Sequence, residues 1–279
     1  MSMARKQQEN HSYEIDTGIA EVVEEPDGSV TLLVNGVPSS NNVAGAPERL
    51  EFEYMRWIVA AVEEFAPAEL KRPRLTHLGG AGCSLARYFA HVWPTSRNTV
   101  VEIDMELAQL VRQIFDIPKS PSVKIRVGDA REETTNFYPS SRDVIIRDVF
   151  AGASTPRNLT TVEFFSAARA SLADDGLYVA NCGSHADLIN AKDELAGMCE
   201  VFPDVAVIAD PPMLKGRRYG NIILLGANRR LVDDGALTRR LLQGAVPAHF
   251  KDAAWATALA RKGTARHDTR HDAQLFGTC

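Results

Sequence analysis

The sequence Leu75-Thr-His-Leu-Gly-Gly-Ala-Gly-Cys-Ser84 leads through a helical stretch to Thr99-Val-Val-Glu-Ile-Asp104. The apolar residues before Gly79 predict a short strand, and Ser84 is a favoured residue type for the N-cap of the helix that follows. The β-branched run from Thr99 predicts a second strand that ends in carboxylates. This order is typical of the nucleoside-binding half of a doubly wound α/β fold.

The acidic end of the second strand is the first candidate binding feature. Glycine is needed where the backbone passes close to a ligand or takes a positive φ, as expected at Gly79, Gly80 and Gly82. Glu102 lies about 20 residues further on, where a carboxylate can accept hydrogen bonds from two ribose hydroxyls. Asp104 is expected to cap the next helix rather than to contact a ligand.

Composition excludes several classes of function. The net charge of −5 over 279 residues argues against a nucleic-acid partner, because proteins that bind nucleic acid usually carry an excess of basic residues. No apolar run reaches the roughly 18–20 residues that cross a bilayer, and no secretory signal is visible. The four cysteines lack paired spacing, which favours free thiols in a reducing cytoplasm and argues against a structural zinc site. We therefore expect a cytoplasmic protein with no membrane contact and no bound metal.

The N-terminal part is predicted to contain a β-hairpin. Residues 18–23 and 29–34 alternate apolar and polar side chains, and Pro26-Asp27-Gly28 between them is a turn signal. Residues 1–14 are polar and predicted to be disordered. An isolated hairpin is marginal in water, so this one is expected to pair with another element.

Beyond the hairpin, strands and helices alternate, which predicts a largely parallel sheet covered on both faces. The last two strands are separated only by a Pro-rich loop, and they are expected to form an antiparallel hairpin at one edge. The charged segment from Gly263 is expected to be a mobile tail. The predicted elements are a loop over 39–47, helices over 48–65, 84–93, 105–115, 131–137, 160–172, 185–199 and 231–242, and strands over 75–79, 98–103, 123–128, 142–148, 176–182, 204–210 and 221–226.

Short motifs over residues 31–228 resemble the spermidine synthase family of aminopropyltransferases. Each motif is short, but their order and spacing over some two hundred residues make the resemblance specific. The motifs are Leu33-Val-Asn-Gly-Val, Glu51-Phe-Glu-Tyr54, Val101-Glu-Ile-Asp, Val127-Gly-Asp-Ala, Asp143-Val-Ile-Ile-Arg-Asp148 and Gly220-Asn-Ile-Ile-Leu-Leu-Gly-Ala-Asn.

The resemblance implies a fold and a domain organisation. The expected fold is α/β, a Rossmann-like seven-stranded sheet of the class I methyltransferase type with a small N-terminal β-hairpin domain. Residues 1–48 would form the tail and hairpin domain, 49–230 the nucleoside-binding domain, and 231–279 a C-terminal helix and mobile tail. Members of the family commonly join such hairpins across a two-fold axis, which implies a homodimer.

The resemblance also implies a small-molecule site for decarboxylated S-adenosylmethionine, or for S-adenosylmethionine itself, as co-substrate. For two residues the ordinary structural explanation carries similar weight, since Tyr54 could pack in the core and Asp129 could cap a helix. The candidate catalytic residues are Asp148 and Tyr54. The candidate nucleoside-binding residues are Gly79, Gly80, Gly82, Glu102, Asp129 and Ala130.

Two departures from the family pattern affect the predicted activity. The family glycine turn carries an Asp that holds the donor's ammonium, and Ala81 stands in its place. The family catalytic loop is Asp-x-x-Asp-Pro, and here Asp148 is followed by Ala151 at the second Asp position. A substrate ammonium without a carboxylate partner is costly to desolvate. We therefore predict poor spermidine formation from putrescine, with Asp210 the first candidate for a replacement acid.

Three functions remain open from the sequence. The first is an aminopropyltransferase-like enzyme, and the second is a methyltransferase that uses intact S-adenosylmethionine. The alanine at position 81 leaves room for the second, because it removes a carboxylate that would repel the methionine carboxylate. The third is a non-catalytic relative that binds a nucleoside or acts through assembly. The sequence does not identify the acceptor.

Overall fold

The structure is a computed structural model that describes residues 10–67, 70–80, 82–152 and 154–269. Within these ranges the chain forms an antiparallel sheet, β1–β4, and a larger mixed sheet, β5–β12. The strands are β1 (Asn10–Ile15), β2 (Gly18–Glu24), β3 (Ser29–Val34), β4 (Val37–Val43), β5 (Arg74–Leu78), β6 (Arg97–Glu102), β7 (Val123–Val127), β8 (Arg142–Arg147), β9 (Leu172–Ser184), β10 (Asp204–Ala209), β11 (Gly220–Ala227) and β12 (His249–Lys251). The helices are α1 (Glu53–Phe65), α2 (Ser84–Val92), α3 (Met105–Ile114), α4 (Ala130–Thr135), α5 (Val162–Ser171), α6 (Ile189–Val201), α7 (Pro211–Leu214), α8 (Ala236–Gln243) and α9 (Ala253–Ala260).

The small sheet confirms the predicted hairpin and extends it on both sides. β2 and β3 pair antiparallel around Pro26-Asp27-Gly28, with β1 and β4 outside them. The prediction of disorder over residues 1–14 is wrong for residues 10–14, which belong to β1, and the predicted loop over 39–47 is a strand as far as Val43. Because the hairpin finds its partners within the chain, its stability does not require a second subunit.

The strand order of the large sheet is β12-β10-β11-β9-β8-β5-β6-β7 within the described residues. β5 to β9 pair in parallel, and β11 inserts antiparallel between β9 and β10. The predicted seven strands with a reversed last strand are confirmed. The β10–β11 pair is antiparallel as predicted, but it does not form the edge, because β12 pairs with β10. The 3-residue β12 and the 4-residue α7 are too short to give a periodic signal.

Helix α1 begins five residues later than predicted and forms part of one face of the sheet. The guanidinium of Arg56 donates to the carbonyls of Leu50 and Glu51, which holds that segment in a non-helical conformation. On the same face, side chains of α2 and α8 join those of α1 in one buried cluster, and residues of α5, α6 and α9 cover the opposite face. In the described ranges, no helix combines the length and apolarity that crossing a membrane requires.

The segment after α9 contacts the α5–α6 face as far as residue 269. Arg266 pairs with Asp193 at 3.0 Å, and its backbone bridges to Thr161. Asp268 pairs at 2.6 Å with the fully buried Arg131. Sequence reasoning expected a mobile tail from Gly263, because a charged segment has no apolar stripe to show where it packs.

Candidate active site

The crevice at the carboxyl ends of β5 and β8 is where the chain direction across the sheet diverges, and ligands bind at such points in doubly wound folds. Gly79 follows β5 and Asp148 follows β8. A Cβ at Gly79 would lie 2.4 Å from the backbone oxygen of Asp148, and its φ is +72°. Only glycine fits this position, so the requirement is steric and conformational at once.

Asp148 is held by two hydrogen bonds from neighbouring elements. The hydroxyl of Tyr54 on α1 donates to Oδ2 at 3.1 Å, and Nδ2 of Asn181 on β9 donates to Oδ1 at 2.9 Å. Both Tyr54 and Asp148 retain partial exposure to the crevice. The two predicted catalytic residues are therefore in contact. Asn181 was missed, although a polar residue within the apolar run of a central strand is a usable signal.

The protonation of this pair is set by its surroundings. Burial raises the pKa of the Asp148 carboxyl, against the opposing effect of the bonds from Asn181 and Tyr54 and of the nearby Arg147 charge. Burial, together with the Asp148 charge, raises the pKa of Tyr54 well above its usual value. Tyr54 therefore stays a donor at neutral pH, and Asp148 is a stronger proton acceptor than an exposed aspartate.

The other two glycines of the turn are required by packing against neighbouring elements. A Cβ at Gly80 would lie 2.6 Å from Val100, and one at Gly82 would lie 2.7 Å from Ser40 on β4. The N–H of Gly82 donates to Ser40 Oγ at 2.9 Å, and Asn42 Nδ2 donates to the Gly82 carbonyl at 3.0 Å. The small sheet therefore fixes the glycine turn. Ala81 lies outside the described residues.

The prediction that Ser84 caps α2 is wrong. The N-cap is Cys83, whose φ of 59° places it in the left-handed region, and it makes no side-chain cap bond. The Ser84 hydroxyl instead donates to Oδ1 of Asn42 at 3.0 Å. Burial raises the pKa of the Cys83 thiol to about 12, which makes it a poor nucleophile. Local sequence favours a serine cap, but a strand some 40 residues away takes the hydroxyl.

The two carboxylates at the end of β6, Glu102 and Asp104, differ in their exposure to solvent. Glu102 is partly exposed, and its Oε1 accepts from the Asp104 N–H at 3.2 Å. Asp104 is buried and caps α3 by accepting from the Leu107 N–H at 2.7 Å, so the expected capping role is confirmed. Asp104 also accepts two bonds from Thr17 in the β1–β2 turn, each at 2.7 Å. Although burial opposes ionisation, these bonds lower its pKa.

An exposed apolar side chain stands between the two carboxylates. Ile103 is 59% exposed at the end of β6, and sequence reasoning did not select it.

Asp129 caps α4 through Oδ1, which accepts from the N–H groups of Arg131 at 2.8 Å and Glu132 at 3.0 Å. Ala130 packs in the core and keeps 8% of its surface. The capping explanation for Asp129 is therefore realised.

Ala151, at the position of the family's second catalytic Asp, and Asp210, the candidate replacement acid, lie on either side of β9 and β11. Ala151 is exposed after β8, in a tight turn where its N–H donates to the Ser154 carbonyl at 2.8 Å. Asp210 follows β10, caps α7 by accepting from the Met213 N–H at 2.8 Å, and forms an ion pair with Arg218. Its charge is thus already matched by an arginine.

One acidic cluster in the described residues has the spacing of metal ligands. Carboxylate oxygens of Glu64, Asp233 and Asp234 lie within 4.8 Å of one another. Asp233 accepts bonds from the N–H groups of Gly235, Leu237 and Thr238, which marks it as a cap at the start of α8. Burial and the two aspartates raise the pKa of Glu64. The cluster is explained by helix capping.

The sheet order and the antiparallel β11 give the chain an α/β fold with the methyltransferase-type architecture. It is similar to a probable spermidine synthase from Corynebacterium glutamicum ATCC 13032, with 55% identity, a TM-score of 0.90, and coverage of 93% of this chain and 96% of that one. Human methyltransferase-like protein 13 in complex with SAH shares the fold at 20% identity and a TM-score of 0.56, covering 80% of this chain and 99% of that one.

A curated relative gives the same assignment. The polyamine aminopropyltransferase of Vibrio vulnificus (strain CMCP6) is 30% identical over 195 residues, which are 69% of this chain and 62% of that protein. The match therefore spans less than two thirds of the curated relative. No family model matches the chain. The chain belongs to the spermidine synthase family, the polyamine aminopropyltransferases.

Proposed function

We propose that this protein is a transferase that moves an aminopropyl group from decarboxylated S-adenosylmethionine to an amine. The observation that carries the proposal is the Asp148 carboxylate, held by Tyr54 and Asn181 at the switch point of the sheet and next to Gly79. A partly exposed carboxylate with a raised pKa is suited to accept a proton from an attacking amine.

The nucleoside half of the crevice supports the donor. Glu102 stands at the strand end where a carboxylate can receive both ribose hydroxyls. The exposed Ile103 beside it offers an apolar surface for the face of an adenine ring. Gly79 and Gly80 bring the backbone close to the sulfur-bearing part of the donor, and Asp129 with Ala130 would border the base.

The reaction needs one proton acceptor and one leaving group. The lone pair of the amine nitrogen attacks the aminopropyl carbon bonded to the sulfonium, and the C–S bond breaks. Methylthioadenosine leaves with the electron pair, so the sulfur becomes a neutral thioether. The proton of the amine passes to Asp148, whose hydrogen bond from Tyr54 keeps the carboxylate oriented. No step requires a metal or a further cofactor.

The acceptor half supports slow reaction with diamines. Putrescine carries two ammonium groups, and each needs a carboxylate if it is to leave water. Asp148 can serve one of them, but Ala151 stands where the family has a second Asp and Arg218 already pairs with Asp210. We infer an acceptor with fewer buried positive charges than a polyamine precursor.

Calorimetry with three nucleosides tests the donor. We expect methylthioadenosine and decarboxylated S-adenosylmethionine to bind, and intact S-adenosylmethionine to bind more weakly. Preference for the intact donor would favour methyl transfer, which the alanine at position 81 makes the second candidate function. Binding of none of the three would contradict both and leave a non-catalytic relative.

We also propose that the chain divides at residues 48 and 230 into the hairpin domain, the nucleoside-binding domain and the C-terminal segment.

We further propose that the protein is a homodimer. The exposed apolar side chains Tyr13, Ile19 and Val37 on the small sheet support a self-association surface. Sedimentation of the full-length chain at micromolar concentration should give a dimer. A monomer would contradict the proposal, and the small sheet would then serve only to hold the glycine turn.

A further inference from the structure

A fully buried ion pair lies next to Asp148 in the central sheet. Arg147 is the last residue of β8, and its Nη2 lies 2.6 Å from Oε2 of Glu194 on α6. The two side chains are 0% and 2% exposed. Successive side chains of a strand point to opposite faces, so Arg147 lies beneath the crevice, on the α5–α6 side.

Stability alone does not explain an arginine at this position. Nε and Nη1 of Arg147 make no hydrogen bond within the described residues, and a buried donor without a partner is unfavourable. Replacing a buried ion pair with apolar residues of similar volume is often neutral or stabilising. We therefore expect the Arg147 guanidinium to have a role other than stability, one that an apolar side chain could not fill.

The contacts of Arg147 lead to Asp148 through a single residue. Nη2 of Arg147 also donates to the backbone carbonyl of Asn181 at 3.2 Å, and Asn181 Nδ2 donates to Oδ1 of Asp148 at 2.9 Å. We propose that Arg147, anchored by Glu194, is a positioning residue that fixes Asn181 and thereby the Asp148 carboxylate. This rests on the proposed function, in which Asp148 accepts the proton.

The charges around the pair agree with this role. Glu194 on α6 and Tyr178 and Cys182 on β9 face Arg147, and Arg266 faces Glu194 from the C-terminal segment. Arg147 acts against burial on Asp148 and favours its ionised form. Removing the pair should therefore move the Asp148 titration to higher pH as well as loosen Asn181.

The test is the paired variant Arg147→Met/Glu194→Leu, which leaves no unpaired buried charge. The ¹³C carboxyl titration of Asp148, assigned with Asp148→Asn, should have its midpoint at higher pH than in the wild type. The control is Arg131→Met/Asp268→Leu, which removes another buried arginine pair and should leave this midpoint unchanged. If the paired variant folds and the Asp148 titration midpoint is the same as in the wild type, the proposal is overturned.

A second variant covers the case in which the paired variant does not fold. Arg147→Lys keeps the charge but not the planar fork, so solvent exchange of the Asn181 side-chain amide should be faster. Unchanged exchange would overturn the proposal. Turnover at saturating donor should fall by on the order of tenfold or more in the paired variant. If the wild type transfers no aminopropyl group, the proposed function fails, while both NMR measurements still decide the positioning role.

Discussion

The two halves of the crevice differ in how their carboxylates are used. In the nucleoside half, Glu102 remains partly exposed at the strand end, while the neighbouring Asp104 caps α3 and holds the β1–β2 turn. In the amine half, Asp148 faces the crevice, but Asp210 is paired with Arg218 and Ala151 carries no charge. Under the proposed function, this difference means that the site keeps the residues for the donor's nucleoside while the residues for the amines change.

The largest expected effect is at Asp148. Asp148→Asn should lower turnover by about 10²–10⁴-fold, because a general base commonly contributes that factor. Methylthioadenosine affinity, measured by calorimetry, should stay close to that of the wild type. An equal loss of donor affinity would place Asp148 in the nucleoside half and contradict the division of the crevice into two halves.

The pH dependence of the wild type follows from the same residue. The raised pKa of Asp148 means that turnover should fall as pH drops through a value above the ordinary aspartate range. Tyr54→Phe removes a hydrogen bond that favours the ionised form of Asp148. The fall in turnover at low pH, the acid limb of the pH profile, should therefore move to higher pH. A limb that stays in place would show that the base is another group.

The next effect concerns the ribose carboxylate. Glu102→Gln should weaken methylthioadenosine binding by roughly 1.5–3 kcal/mol, the contribution of hydrogen bonds to a charged acceptor. The matched control is Glu106→Gln, an exposed carboxylate in the first turn of α3. Unchanged affinity in a folded Glu102 variant would remove this residue from the donor site.

A smaller effect is a gain of function in the amine half. Ala151→Asp should raise turnover with a diamine, because it returns a carboxylate to an exposed loop position after β8. Ala81→Asp should improve binding of the decarboxylated donor. Kinetics with putrescine check the first change and calorimetry the second. If neither variant improves on the wild type, the charges missing from the amine half are not what limits it.

Much of the fold could be predicted because its signals are local. The glycine turn, the alternation of strands and helices, and the Asp104 cap each depend on residues close in sequence. The failures depend on distant partners. Ser84 looks like a cap from local sequence, but Asn42, on a strand some 40 residues away, accepts its hydroxyl hydrogen bond. Asn10–Ile15 is polar and becomes a strand only because β2 is available to pair with it.

The candidate site was predictable to a similar extent. Motifs located Asp148 and Tyr54, and the structure brings them within 3.1 Å of each other. Asn181 has a usable sequence signal, but the partners of Asn181 and Arg147 could not be predicted, since their contacts cross from β8 to β9 and to α6. The pairing of Asp210 with Arg218 depends on the loop before β11, whose conformation no periodic pattern specifies.

We infer that the nucleoside half of the crevice is retained, whereas the positions that hold the substrate amines are depleted of carboxylates. The direct test is the initial rate of spermidine formation by the wild-type protein from putrescine and decarboxylated S-adenosylmethionine, with methylthioadenosine binding measured on the same preparation. We expect methylthioadenosine to bind while spermidine forms far more slowly than about 1 s⁻¹, the lower end of typical enzyme turnover. Spermidine formation at about 1 s⁻¹ or faster would contradict it, and would mean that another acid holds the second ammonium.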